Sequence, residues 1–86
     1  MQALRNPSRI TARQRQVVEL IAEGLSNEEV GAALGISSRT AKAHCDVLRQ
    51  KLGVRRRRQI PVAFRLLTGE DPLAARLASA RADAGA

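Results

Sequence analysis

Apolar residues recur at helical spacing along most of this chain, in groups separated by glycines. Val17, Leu20 and Ile21 form a first stripe, with Val18 at its edge. Thr11-Ala12-Arg13-Gln14 stands before it as a T-x-x-Q capping box, in which each end satisfies a free backbone donor of the other. Gly24 closes this helix, and Leu25 is expected to pack back on the stripe. Val30 and Leu34 are the i, i+4 pair of a second helix, opened by the S-x-x-E box Ser26-Asn27-Glu28-Glu29. Gly31 in its middle costs about 1 kcal/mol relative to Ala, which predicts that the third helix crosses closely there. Gly35-Ile36-Ser37 is then a three-residue turn, with Ile36 pointing inward and Ser37 capping the next helix. That third helix spans Ser37 to Leu52 and stops at Gly53. Ala41, Cys45, Leu48 and Leu52 make its single apolar face.

Pro61 is at home at a first helical position, so a fourth helix is expected from Ile60 or Pro61 to Leu67. Val62, Ala63, Leu66 and Leu67 supply its apolar face, Phe64 joins the core from its edge, and Thr68-Gly69-Glu70 ends it. Asp71-Pro72 is another opening signal, followed by Leu73, Ala74, Leu77, Ala78 and Arg81 at helical spacing. It predicts a short fifth helix to about Ala82, against which stands a frayed tail. The expected organisation is therefore all-α. Residues 1–9 form a flexible lead, 10–68 a helix-turn-helix domain, and 69–86 a partly helical C-terminal extension ending in a disordered 83–86.

Composition narrows the class. Eighty-six residues make one small domain, which buries only about 60% of its unfolded surface. With one Phe and no Trp or Tyr, the core must be aliphatic. A single cysteine excludes an internal disulfide and a multi-cysteine metal site, and Cys45 lies on an apolar helix face as a buried structural thiol. No apolar run approaches the ~18 residues of a membrane span, and no signal-peptide pattern opens the chain, so a soluble cytoplasmic protein is expected.

Charge gives the composition a direction. The net charge is +7. Between Arg39 and Arg58 stand Arg39, Lys42, Arg49, Lys51 and Arg55 to Arg58 against one acid, Asp46, whereas Glu19, Glu23, Glu28 and Glu29 fall in the first two helices. One end of the fold is therefore strongly positive, the footprint of a polyanionic partner. A membrane-surface helix would interleave its basic residues with bulky apolar ones, which this stretch lacks. At 100° per residue, the third helix turns Arg39, Ala43, Asp46 and Gln50 away from its apolar face, with Lys42 on the flank. A face of short, polar or cationic groups without a bulky apolar side chain suits a DNA major groove. The plain alternative is a solvated amphipathic helix, and the same choice holds for Arg55-Arg56-Arg57-Arg58, a solvated charge run or a set of phosphate contacts. For an enzyme there is little: His44 is the only histidine, and Cys45 points about 100° away from it. No triad, paired carboxylates, metal spacing or phosphate loop is visible. No catalytic residue, metal or cofactor is expected.

The motifs then converge. Ile10-Thr11-Ala12-Arg13, the run Val17 to Val30 with its G-x-S-N-x-E core, Leu34-Gly35-Ile36-Ser37, Thr40, Lys42, His44 and Lys51-Leu52-Gly53-Val54 resemble the LuxR-type DNA-binding domain. That domain is the output module of FixJ/NarL response regulators and LuxR quorum sensors, and it stands alone in GerE. The resemblance covers roughly residues 10 to 67. It implies a four-helix domain whose third helix reads double-stranded DNA, with Lys42, Ala43 and Asp46 approaching bases. Arg39 joins them from the exposed face. Ser38, Thr40, His44, Arg49, Gln50, Arg55, Arg56, Arg57 and Arg58 are the expected phosphate contacts. The fourth helix is expected to pair two monomers through Val62, Ala63, Leu66 and Leu67. The chain departs from the family at Gln14 and Gln16, where Glu is usual, at Ala41, where Val is usual, and at Asp46, where a basic or small polar residue is common. A transcriptional regulator, or the DNA-binding output domain of one, is the function this implies, with RNA polymerase as a further partner. The competing function is a non-enzymatic adaptor that uses the same fold to bind RNA polymerase or a sigma factor.

Overall fold

The structure is a computed structural model that describes residues 10–74 and 77–78. Among the described residues the chain runs through α1 (Ala12–Ala22), α2 (Asn27–Leu34), α3 (Ser38–Leu52) and α4 (Ile60–Thr68), with a 3-10 turn, Arg57–Gln59, before the last. No strand occurs among the described residues. No helix among them is long and apolar enough to cross a membrane.

The helix starts follow the side chains that cap them. Thr11 Oγ1 accepts from Gln14 N at 3.0 Å, while Thr11 N donates to Gln14 Oε1 at 3.1 Å. Ser26 and Glu29 repeat the exchange at 3.1 and 2.8 Å. Ser37 Oγ accepts from Thr40 N at 3.0 Å. Each box satisfies donors that the first helical turn leaves open, an arrangement whose loss costs ~1 kcal/mol. Two stops matter for the site. Gly35 and Gly53 end α2 and α3 with φ of 71°, a left-handed conformation that side chains disfavour. The first lets the chain reverse within Gly35-Ile36-Ser37, so α3 packs chiefly on α2.

The core is aliphatic apart from Phe64, which is 1% exposed. Val17, Val18, Leu20 and Ile21 meet Val30 of α2, the Ala41, Cys45, Leu48 and Leu52 face of α3, and Ile60 with Phe64 of α4. Ile10, ahead of the first cap, is also buried. Arg15 of α1 lies over the Phe64 ring, 5.2 Å from its centroid, and pairs with Glu70 just beyond α4.

Three expectations need correction. Val18 is not at an edge but fully buried. Phe64 is central, because Ile60 and Phe64 are one turn apart and together form the inward face of α4. The groups expected to form that face split: Ala63 packs partly against the core, while Val62, Leu67 and Leu66 stand 52%, 46% and 76% exposed. The crowding expected at Gly31 is found, and its nearest source is the backbone of the turn and N-cap that lead into α3. A Cβ there would lie 2.6 Å from the Ile36 carbonyl oxygen and 3.2 Å from Ser37 C and O, so the turn backbone presses on it.

Past α4, Asp71 Oδ1 accepts from Leu73 N at 3.0 Å and Ala74 N at 3.4 Å, the capping expected of Asp-Pro. The backbone is helical at 72–74 and 77–78, and Pro72 is buried. The rest of the fifth helix to Ala82, the 83–86 tail and the 1–9 lead with Arg5 and Arg9 lie outside the described residues.

Candidate nucleic-acid interface

The apolar face of α3 fixes what its other side presents. With Ala41, Cys45, Leu48 and Leu52 buried, Ser38, Arg39, Thr40, Lys42, Ala43 and Gln50 are exposed, and His44, Asp46 and Arg49 are half-buried on the flanks. One residue contradicts the sequence-based picture of that side. Val47 is 39% exposed there, so the face does carry a bulky apolar group.

Asp46 is not free. Its Oδ2 accepts from Lys42 Nζ at 3.1 Å and its Oδ1 from Arg49 Nη2 at 2.5 Å. These are the i, i+4 and i, i+3 pairs that a helix surface brings together. The hydrogen bond from Arg49, then that from Lys42, hold the Asp46 carboxyl below the ordinary carboxylate range. Arg49 reaches further, donating from Nη1 to the Arg55 carbonyl oxygen at 2.8 Å. One carboxylate thus positions two cations and, through Arg49, links α3 to the basic segment that follows it.

That segment is shaped, not loose. Gln59 Oε1 accepts from Arg55 N at 3.2 Å and Arg56 N at 2.9 Å, turning the chain into the 3-10 turn. Arg55, Arg56 and Arg58 project outward. Arg57, expected as a phosphate contact, turns inward. Its Nε donates to Asn27 Oδ1 at 3.1 Å and its Nη2 to the Leu25 carbonyl oxygen at 2.6 Å. Asn27 Oδ1 also accepts from Cys45 Sγ at 3.3 Å, so a single amide oxygen joins α2, α3 and the turn. Lys51 likewise ties the end of α3 to the start of α1, donating to Gln14 Oε1 at 2.9 Å.

Of the eight basic residues in this stretch, Lys51 and Arg57 therefore tie the fold together. Arg39, Lys42, Arg49, Arg55, Arg56 and Arg58 face outward or lie on the flank. The residues that sequence reasoning missed are Asn27, Gln59 and Val47. Asn27 looked like a spacer inside a capping box. Gln59 caps the turn from its side chain alone, because Arg56, three residues before it, has no acceptor to complete a capping box.

A short glycine turn, a helix seated on its predecessor, and a cationic outer face define a helix-turn-helix protein. The chain belongs to the luxR family of bacterial regulatory proteins, which it matches over residues 8–64. It is 46% identical over 50 residues to the putative HTH-type transcriptional regulator YhjB of Escherichia coli, covering 58% of this chain and 25% of that protein. It is 38% identical over 60 residues to the transcriptional regulatory protein UhpA of Salmonella typhimurium, covering 70% and 30%. With the nitrate/nitrite response regulator protein NarP of Escherichia coli it shares 39% identity over 55 residues, 64% and 26%. The chain spans about a quarter to a third of the length of these relatives. No solved structure matches it.

Proposed function

We propose that the chain is the DNA-binding domain of a sequence-specific transcriptional regulator and reads the major groove of double-stranded DNA with α3. The observation that carries this is the outer face of α3, cationic and backed by a basic turn that hydrogen bonds hold beside it. Lys42, Ala43 and Arg39 face the bases. Asp46, with both oxygens engaged by cations, works as a positioning residue and not as a base reader. Ser38, Thr40, His44, Arg49, Gln50, Arg55, Arg56 and Arg58 contact phosphate, which supplies affinity without sequence information. Arg57 is left out of that set, since its guanidinium is engaged inside the fold.

The exposed strip of Val62, Leu66 and Leu67, with Ala63 beside it, pairs two copies on DNA. Two reading helices then sit about one duplex turn apart, roughly 34 Å. The domain catalyses no reaction and needs no cofactor, and it acts in the cytoplasm, where RNA polymerase is its further partner.

Selection of bound sequences from a random duplex pool, followed by titration at several salt concentrations, tests this. A two-fold or tandem consensus is expected. Each neutralised phosphate contributes about −0.9 to the slope of log K against log salt. Arg55, Arg56 and Arg58, the phosphate-facing arginines with no ion pair among the described residues, give about −3 for each subunit, and Arg49, partly neutralised by Asp46, adds up to about −1 more. An adaptor for RNA polymerase or a sigma factor would instead show little duplex affinity even at low salt.

A further inference from the structure

Val47 occupies an unusual place for an apolar side chain. Among the described residues, the other large exposed hydrophobics, Val62, Leu66, Leu67, Leu73 and Leu77, all lie on α4 or after it. Val47 alone stands on the basic side, 39% exposed. A single bare valine on a surface is ordinary. The neighbours of this one give it a direction.

Ala43, also exposed, lies one turn before Val47, about 40° away around an ideal helix. Together they make an apolar strip along the outer face of α3. Polar and charged groups border it: Lys42 and Arg49 are drawn to Asp46, and Asp46, Arg49, Gln50 and Arg55 line, together with Val47, an open depression of about 420 Å³. Helix stability does not account for a valine there, since β-branching lowers helix propensity. Core packing does not either, because the buried face is complete without it.

On the DNA-binding role proposed above, the strip faces base edges. Major-groove edges carry donors, acceptors and one apolar group, the C5 methyl of thymine. We propose that Val47, extending the strip begun by Ala43, recognises a thymine methyl and is a specificity-determining residue. The Asp46 clamp favours this assignment. It occupies the carboxylate that would otherwise accept from cytosine N4 at the neighbouring position.

The experiment removes the methyl and nothing else. In the best selected duplex each thymine of a half-site is replaced singly by deoxyuridine. Affinities are then measured at one salt concentration for the wild-type chain, Val47→Ala and Val47→Thr. Threonine keeps the shape of valine and puts a hydroxyl where a methyl was. At one thymine the wild type is expected to lose about fourfold, the worth of one methyl-sized group withdrawn from water. Val47→Ala and Val47→Thr should lose most of that sensitivity while retaining wild-type helicity by circular dichroism. The proposal is overturned if no thymine position depends on residue 47, or if the selected half-site holds no thymine. Undiminished duplex binding in that event leaves the DNA-binding role standing, whereas no duplex binding by the wild type sinks both.

Discussion

Gly31→Ala adds a side chain to a residue of α2 that the turn backbone presses upon. On an open helix the change would stabilise by about 1 kcal/mol. Here the new Cβ meets the Ile36 carbonyl oxygen at 2.6 Å, while carbon–oxygen contacts normally begin near ~3.3 Å. The turn must retreat by roughly 0.7 Å, and it is not free to do so, because Ile36 N donates to the Gly31 carbonyl oxygen at 2.9 Å. Overpacking of this kind costs about 1–3 kcal/mol, and weakening that hydrogen bond adds about 0.5–1.5. After subtracting the propensity gain, a net loss near 2 kcal/mol is expected, within a range of about 0.5–3.5. For a domain of this size that lowers the Tm by about 8–16 °C at the central value. Thermal unfolding followed by far-ultraviolet circular dichroism measures it. Ala32→Gly, on the exposed side of α2, is the control and should cost only about 1 kcal/mol. A Gly31→Ala domain as stable as the wild type, or more so, would show that the turn does not bear on the glycine.

Three further outcomes are expected. Asp46→Ala should release Lys42 and Arg49, tighten binding to random duplex, and narrow the ratio to the best site. Its carboxyl is held below the usual range, so its contribution is complete above the ordinary value of 3.8 and is lost only as pH falls through the lowered one. The difference between mutant and wild type should therefore be flat from about pH 5 to 8, and a step in that window would refute the assigned role. Lys42→Ala should weaken the best site more than random DNA, whereas Arg56→Ala should weaken both alike and flatten the salt slope by about 1, as paired titrations will reveal. Leu66→Glu should leave the fold intact, since the side chain is 76% exposed, yet abolish two-to-one complexes on a selected duplex in analytical ultracentrifugation.

The helices were legible because their ends are written in local chemistry. Thr11 with Gln14, Ser26 with Glu29, and Ser37 announce starts, and Gly35 and Gly53 announce stops, all within a few residues of the event they control. The buried face of α3 was equally plain from its spacing. What escaped depended on long-range contacts. The four arginines after Val54 look alike in the sequence, and only the approach of α2 turns Arg57 inward while its neighbours stay out. Phe64 reads as an edge residue because the apolar residues of α4 surround the helix, and periodicity cannot choose between the Ile60/Phe64 side and the Val62/Leu66 side. Val47 is hard to see in the sequence for a simpler reason: charged residues dominate the outer face around it.

The shared oxygen of Asn27 bears on the duplex as well as on the protein. It accepts from Cys45 of the reading helix and from Arg57 of the basic turn, while Arg49 spans the same two elements by its bond to Arg55. On the DNA-binding role proposed above, these bonds tie the base-facing and phosphate-facing surfaces to one another. A binding surface braced in this way leaves more of the adjustment to the DNA. Operators would then be ranked partly by how easily their grooves narrow, widen or bend to this template, at base pairs that no side chain touches.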